Sequence, residues 1–69
     1  MPSEKEQLGN ICKIRLGILE TSLRLNSENL ITKNEADFRA SCEDLRAIDE
    51  GIYNHMMNKY QEIKAKYQK

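Results

Sequence analysis

Apolar side chains recur at steps of three and four residues along two long runs of this 69-residue chain. That spacing places them on one face of an α-helix. Ser3 and Glu6 have the sequence of an N-terminal capping box just before the first run. The first run comprises Leu8, Ile11, Cys12, Ile14, Ile18, Leu19, Leu23 and Leu25. The second comprises Phe38, Cys42, Leu45, Ile48, Ile52, Met56, Tyr60, Ile63 and Tyr67. The pattern predicts an all-α fold.

The two runs are separated by a polar stretch that favours a connection between helices. Thr32 and Glu35 have the sequence of a second capping box, and Asn34 is an alternative cap. No proline follows Pro2, so one helix is allowed through residue 67, with Gly51 as its weak point, where a bend is tolerated. We therefore predict one domain, 1–69, with a helix at 4–25, a connection at 26–33 and a helix at 34–67. A short connection makes this an antiparallel two-helix hairpin.

The hairpin predicts where the two cysteines lie. If Leu25 faces Ala36, Cys12 faces Asp49, which is seven residues from Cys42. Seven residues of helix span roughly 10 Å, whereas a disulfide needs Cα atoms within about 7 Å of each other. We therefore expect both cysteines to be small buried apolar residues and not a disulfide.

The predicted helices are unequal, and helix one carries apolar side chains around more than one face. The end of the longer helix would extend past helix one, and two helices cover only one side of each other. Apolar surface would be left over, and such patches mark interaction sites. Gly9 and Gly17 each cost about 1 kcal/mol against alanine inside a helix, unless they allow another backbone to come close.

Composition excludes several classes of function. Eleven basic residues balance eleven acidic ones, which argues against nucleic-acid binding. No apolar stretch exceeds two residues, against about 20 needed to cross a bilayer, and the N-terminus does not read as a signal peptide. His55 is the single histidine, and the acidic residues of the second helix are typical of a solvated face. We expect a cytoplasmic protein with no enzyme activity, cofactor, metal or membrane association.

Three stretches are similar to a known family. Glu6-Gln7-Leu8-Gly9-Asn10 with Arg15 looks like the opening of its first helix, and Leu19-Glu20 with Leu23 and Leu25 resembles the second half. Phe38 and the run from Arg46 to Ile52 match its second helix in register. Over most of residues 4–55 the chain resembles the YscE family, the small co-chaperones of type III secretion needle subunits.

The resemblance implies a fold, a partner and a set of contacts. Members of the family pair in the bacterial cytosol with a larger tetratricopeptide-like chaperone, and together they keep the needle subunit monomeric until export. Partner contacts would come mainly from helix one. The implied partner-binding residues are Leu8, Ile11, Arg15, Ile18 and Leu25, with Phe38 and Ile52 supporting the hairpin.

Two other functions compete with this one. Two copies of the hairpin could pair into a four-helix bundle when the chain is alone. Such a dimer could act as a small regulator or adaptor that binds RNA or a transcription factor. A nucleoid-associated modulator is the third alternative, but it would require a basic face, which the zero net charge disfavours.

Overall fold

The computed structural model describes residues 3–67, which form three helices. They are α1 (Glu4–Leu25), α2 (Glu28–Arg46) and α3 (Glu50–Tyr67). The fold is all-α as predicted, but the two-helix hairpin is wrong, because the predicted second helix is two helices. Residues 1, 2, 68 and 69 of the predicted 1–69 domain lie outside the described residues.

Helix α1 has the bounds that the sequence predicts, and its ends show why. The Ser3 hydroxyl accepts a hydrogen bond from the Glu6 backbone N–H at 3.2 Å, which caps the start of the helix. The helix ends at Asn26, whose φ of 55° is left-handed. Asparagine tolerates that conformation better than most residues.

The predicted connection at 26–33 is wrong, because the chain reverses within Asn26 and Ser27 alone. The Asn26 N–H donates to the Leu23 carbonyl, and the Ser27 N–H donates to the Ser22 carbonyl. Ser27 is extended and its carbonyl accepts from the Ile31 N–H, so α2 begins at Glu28. The expected capping box at 32–35 therefore lies inside α2. The helix starts early because the left-handed residue turns the chain without a longer loop.

The predicted helix 34–67 is also wrong, because it is broken at residues 47–49. The Asp49 carboxylate accepts a hydrogen bond from the Ile52 N–H at 3.2 Å and caps the start of α3. Its other oxygen pairs with the Lys5 ammonium at 3.2 Å. The break precedes Gly51, the position at which a bend was expected, by two residues.

Helix α3 lies alongside α1 instead of extending past it. Near the start of α3, Asp49 contacts Lys5; near its end, the Tyr67 hydroxyl donates to the Glu20 carboxylate at 3.2 Å. Both helices therefore run in the same direction, and α2 runs antiparallel to them. The overhanging end expected from a two-helix hairpin does not exist, because the break at Asp49 folds the chain back.

The core draws side chains from all three helices. Phe38 and Tyr60 are fully buried, with ring centroids 5.5 Å apart. The other buried apolar residues are Cys12, Leu16, Leu19, Cys42, Leu45 and Met56. On α1 this core face excludes Ile11 and Ile18, which are exposed on a different side of the helix from Leu16.

The two cysteines face each other across α1 and α2. Both are buried and reduced, and both belong to the same core cluster. They are buried as predicted, but the seven-residue offset is wrong, because α2 begins six residues earlier than expected and shifts the register. Burial raises the pKa of the Cys12 thiol, and burial, followed by the nearby Cys12, raises the pKa of Cys42 to about 12.

We expect Asp49→Ala to lower the melting temperature by about 5 °C, because α3 loses its cap. Asp49→Asn keeps a capping oxygen but not the charge, so it should fall between Ala and wild type. The hydrogen bond from Ile52, and then Lys5, lower the pKa of Asp49. The wild-type advantage over Asn should therefore be full above about pH 4 and disappear as the pH falls through the lowered pKa. Thermal denaturation between pH 2 and pH 7 measures both effects; equal melting temperatures would contradict the capping role.

We expect a thiol-specific disulfide reagent at pH 8 to modify the folded chain at least about 100-fold more slowly than the same chain in denaturant. Both thiols stay protonated and out of contact with solvent in the folded state. The absorbance of the released thiolate measures the rate. Modification at the unfolded rate would show that the thiols are accessible.

Candidate protein-binding surfaces

A row of exposed aliphatic residues follows one side of α1. We call Ile11, Ile14, Ile18 and Leu25 the isoleucine stripe. Ile14 and Leu25 have the largest exposed fractions, 63% and 66%. Their steps are three, four and seven residues, and Thr21 stands at the intermediate position. An average step of 3.5 residues is that of a coiled-coil seam, so the stripe has the spacing of a helix-binding surface.

The stripe borders helix α2. A shallow cavity of about 90 Å³ is lined by Ile18 and Arg15 of α1 and by Asn34 and Asp37 of α2. Leu30, which is also exposed, lies one turn before Asn34 on the same side of α2. The apolar surface therefore extends from α1 onto the start of α2.

Three of the predicted partner-binding residues belong to this surface. Ile11, Ile18 and Leu25 are exposed members of the stripe. Ile14 was not among the predicted contact residues, although its position three after Ile11 and four before Ile18 was a sufficient signal.

The other four predicted residues contact the rest of the chain itself. Arg15 donates to the Asp37 carbonyl at 2.9 Å and to the Ser41 hydroxyl at 2.6 Å, which joins α1 to α2. Leu8 and Ile52 are half-buried against the core, and Phe38 is within it. Phe38 and Ile52 thus support the fold, whereas Leu8 and Arg15 expose only part of their side chains to a partner.

A second surface lies between α1 and α3, and its lining includes none of the stripe residues. Two adjoining cavities of about 420 and 240 Å³ share Lys13, His55 and Met56, and together form what we call the α1–α3 groove. Its α1 wall includes Gly9 and Gly17, where an added Cβ would meet no atom within 4 Å. The remaining lining residues are Lys5, Glu6, Asn10, Leu16, Glu20, Ile52, Lys59 and Ile63.

Some charged side chains around the groove form ion pairs within the chain, and others do not. Lys5 pairs with Asp49, and Glu20 contacts Lys66 and Tyr67. Lys13 and Lys59 form no ion pair within residues 3–67. Glu6, on the α1 wall next to Lys5, forms no ion pair within residues 3–67 either. Around Lys13 and Lys59 the groove carries positive charge that the described residues do not neutralise.

The described part of the chain has no group of three or more histidine, cysteine, aspartate or glutamate side chains placed to hold a metal ion. None of the three helices has the length and apolar character to span a membrane. No protein-family model, curated protein or solved structure matches the chain.

We expect Gly9→Ala and Gly17→Ala each to raise the free energy of unfolding by about 0.5–1 kcal/mol, because the methyl group enters open space and reduces backbone entropy. Gly51→Ala is the matched control, since its Cβ would lie 3.2 Å from the Asp49 carboxylate and should give less or no gain. Chemical denaturation measures all three. A loss of stability at Gly9 or Gly17 would mean that these positions are crowded in the chain itself.

Proposed function

We propose that this chain is a non-catalytic co-chaperone of the bacterial cytosol. It pairs with a larger tetratricopeptide-like chaperone and, through that protein, helps to keep a type III secretion needle subunit monomeric. The exposed isoleucine stripe is the observation that carries the proposal. The resemblance to the YscE family in residues 4–55 names the class of partner.

The stripe supports a protein-binding role on energetic grounds. Burying a half-exposed aliphatic side chain contributes roughly 1 kcal/mol, so four of them on one face give a partner a substantial apolar contact. Residues at i, i+3 and i+7 are the usual anchors of a helix that lies in an apolar groove. Tetratricopeptide-like repeats stack helix pairs and form such concave surfaces.

The stripe also explains why such a small chain would benefit from a partner. A single core of this size supplies only about 3–5 kcal/mol of net stability. A partner that binds the folded chain and not the unfolded one stabilises it by mass action. Pairing would therefore cover the stripe and stabilise both proteins at once.

Self-association is the second candidate, and the heptad-like spacing of the stripe favours it. Two copies of a three-helix chain contain six helices, so a dimer of this chain is not the four-helix bundle expected from a two-helix hairpin. The mass of the purified chain in solution separates the two functions. A stable dimer at micromolar concentration supports self-association, whereas a monomer that forms a one-to-one complex with the chaperone supports the co-chaperone.

We expect Ile18→Asp to abolish pairing with the chaperone, because it places a charge in the centre of the stripe. The side chain is 48% exposed, so helicity and the melting temperature should change little. Gln61→Asp, at an exposed position of α3, is the control and should pair normally. Co-expression with the products of neighbouring genes, followed by pull-down and circular dichroism, measures both. Unchanged pairing of Ile18→Asp would show that the assigned face is wrong.

A further inference from the structure

We propose that the α1–α3 groove is a second interface, which binds an acidic amphipathic helix of another protein. This surface lies on a different side of α1 from the isoleucine stripe. The inference therefore does not depend on the co-chaperone function.

The arrangement of the helices defines the shape of the site. Helix α2 packs antiparallel against both α1 and α3, which run parallel to each other. The three helices pack pairwise around one core, so the α1–α3 groove lies on the outer side of this helix pair, away from α2. A helix in the groove would contact both of its walls, as neighbouring helices of a bundle do.

The groove has the length and the lining that a helix needs. Along α1 it runs from Lys5 to Glu20, about 22 Å or four helical turns. Leu16 and Met56 form its apolar floor, with Ile52 and Ile63 half-buried beside them. The backbone groups of both walls are engaged within their own helices, so an occupant must satisfy its own backbone hydrogen bonds. A helix does so and an extended strand does not.

The two glycines on the α1 wall determine how closely such a helix approaches. Gly9 and Gly17 lie eight residues apart, about two turns, on the same side of α1. Nothing within the chain fills the space that a side chain would occupy at either position. Small residues shorten the distance between packed helices, so this wall admits the partner's side chains more deeply than an ordinary helix surface.

Charge specifies the chemistry of the occupant. Lys13 on α1 and Lys59 on α3 line opposite walls of the groove, and His55 lies one turn before Lys59 on the α3 wall. Neither lysine is neutralised within the described chain. An apolar stripe flanked by glutamate or aspartate would complement both the floor and the rims, whereas basic flanks would be repelled.

The test uses the full 69-residue chain and two designed 16-residue helical peptides. Both present leucines at i, i+3, i+4 and i+7; one has glutamate at the flanking positions and the other lysine. We expect the acidic peptide to bind with a dissociation constant of about 10–100 μM at low salt, and the basic peptide to bind at least about ten-fold more weakly. Fluorescence anisotropy measures affinity, and amide chemical-shift changes locate the peptide.

Variants connect binding to the groove. The double variant Lys13→Glu, Lys59→Glu should reverse the preference between the peptides. Gly17→Leu should abolish binding while circular dichroism and melting remain those of a folded chain, because the side chain projects into open space in the free protein. Ile18→Asp, on the other face, should bind the acidic peptide as wild type does.

Three results would overturn the proposal. These are equal or no binding of the two peptides, chemical-shift changes confined to the isoleucine stripe, and normal binding by folded Gly17→Leu. Dimerisation of the chain through the groove would show that its occupant is a second copy instead. Loss of chaperone pairing in Ile18→Asp with peptide binding intact would separate the two interfaces.

Discussion

The capping of α3 by Asp49 is the interaction on which the rest of the fold depends. Its carboxylate accepts the Ile52 N–H and pairs with Lys5, so it caps the start of α3 and ties the junction to α1. Without this break, Met56 and Tyr60 would extend beyond α1 with no core to enter. Because the chain folds back, both are buried, and a groove forms between two parallel helices.

The register between α1 and α2 follows from a turn of only two residues. Asn26 reverses the chain in a left-handed conformation, and α2 begins at once. Arg15 then reaches Ser41, and Cys12 and Cys42 are both buried in the core. The polar contacts at the edge of the α1–α2 interface and the apolar contacts inside it thus require the same register between the two helices. Such consistency is expected of a chain with a single folded state.

Helix α1 contributes to the core with one side and leaves two other surfaces open. The isoleucine stripe is aliphatic and has coiled-coil spacing, whereas the α1–α3 groove combines an apolar floor with unpaired lysines. The two surfaces differ in chemistry, because burial of one offers mainly desolvation and burial of the other adds charge complementarity. If both proposed interfaces are occupied, one small chain connects two helical proteins.

The sequence alone determined the helical class, the bounds of α1 and the burial of both cysteines, because apolar periodicity and a capping serine are local signals. The resemblance to the YscE family also indicated Ile11, Ile18 and Leu25 as partner-binding residues, and all three are exposed. Only the tertiary structure decided the break at Asp49, the two-residue turn and the α1–α3 groove. The sequence pattern does not distinguish an aspartate that is a solvated side chain within one helix from an aspartate that caps the start of a new helix. The outcome depends on whether the following residues gain more by folding back onto a core, and that gain comes from contacts distant in sequence.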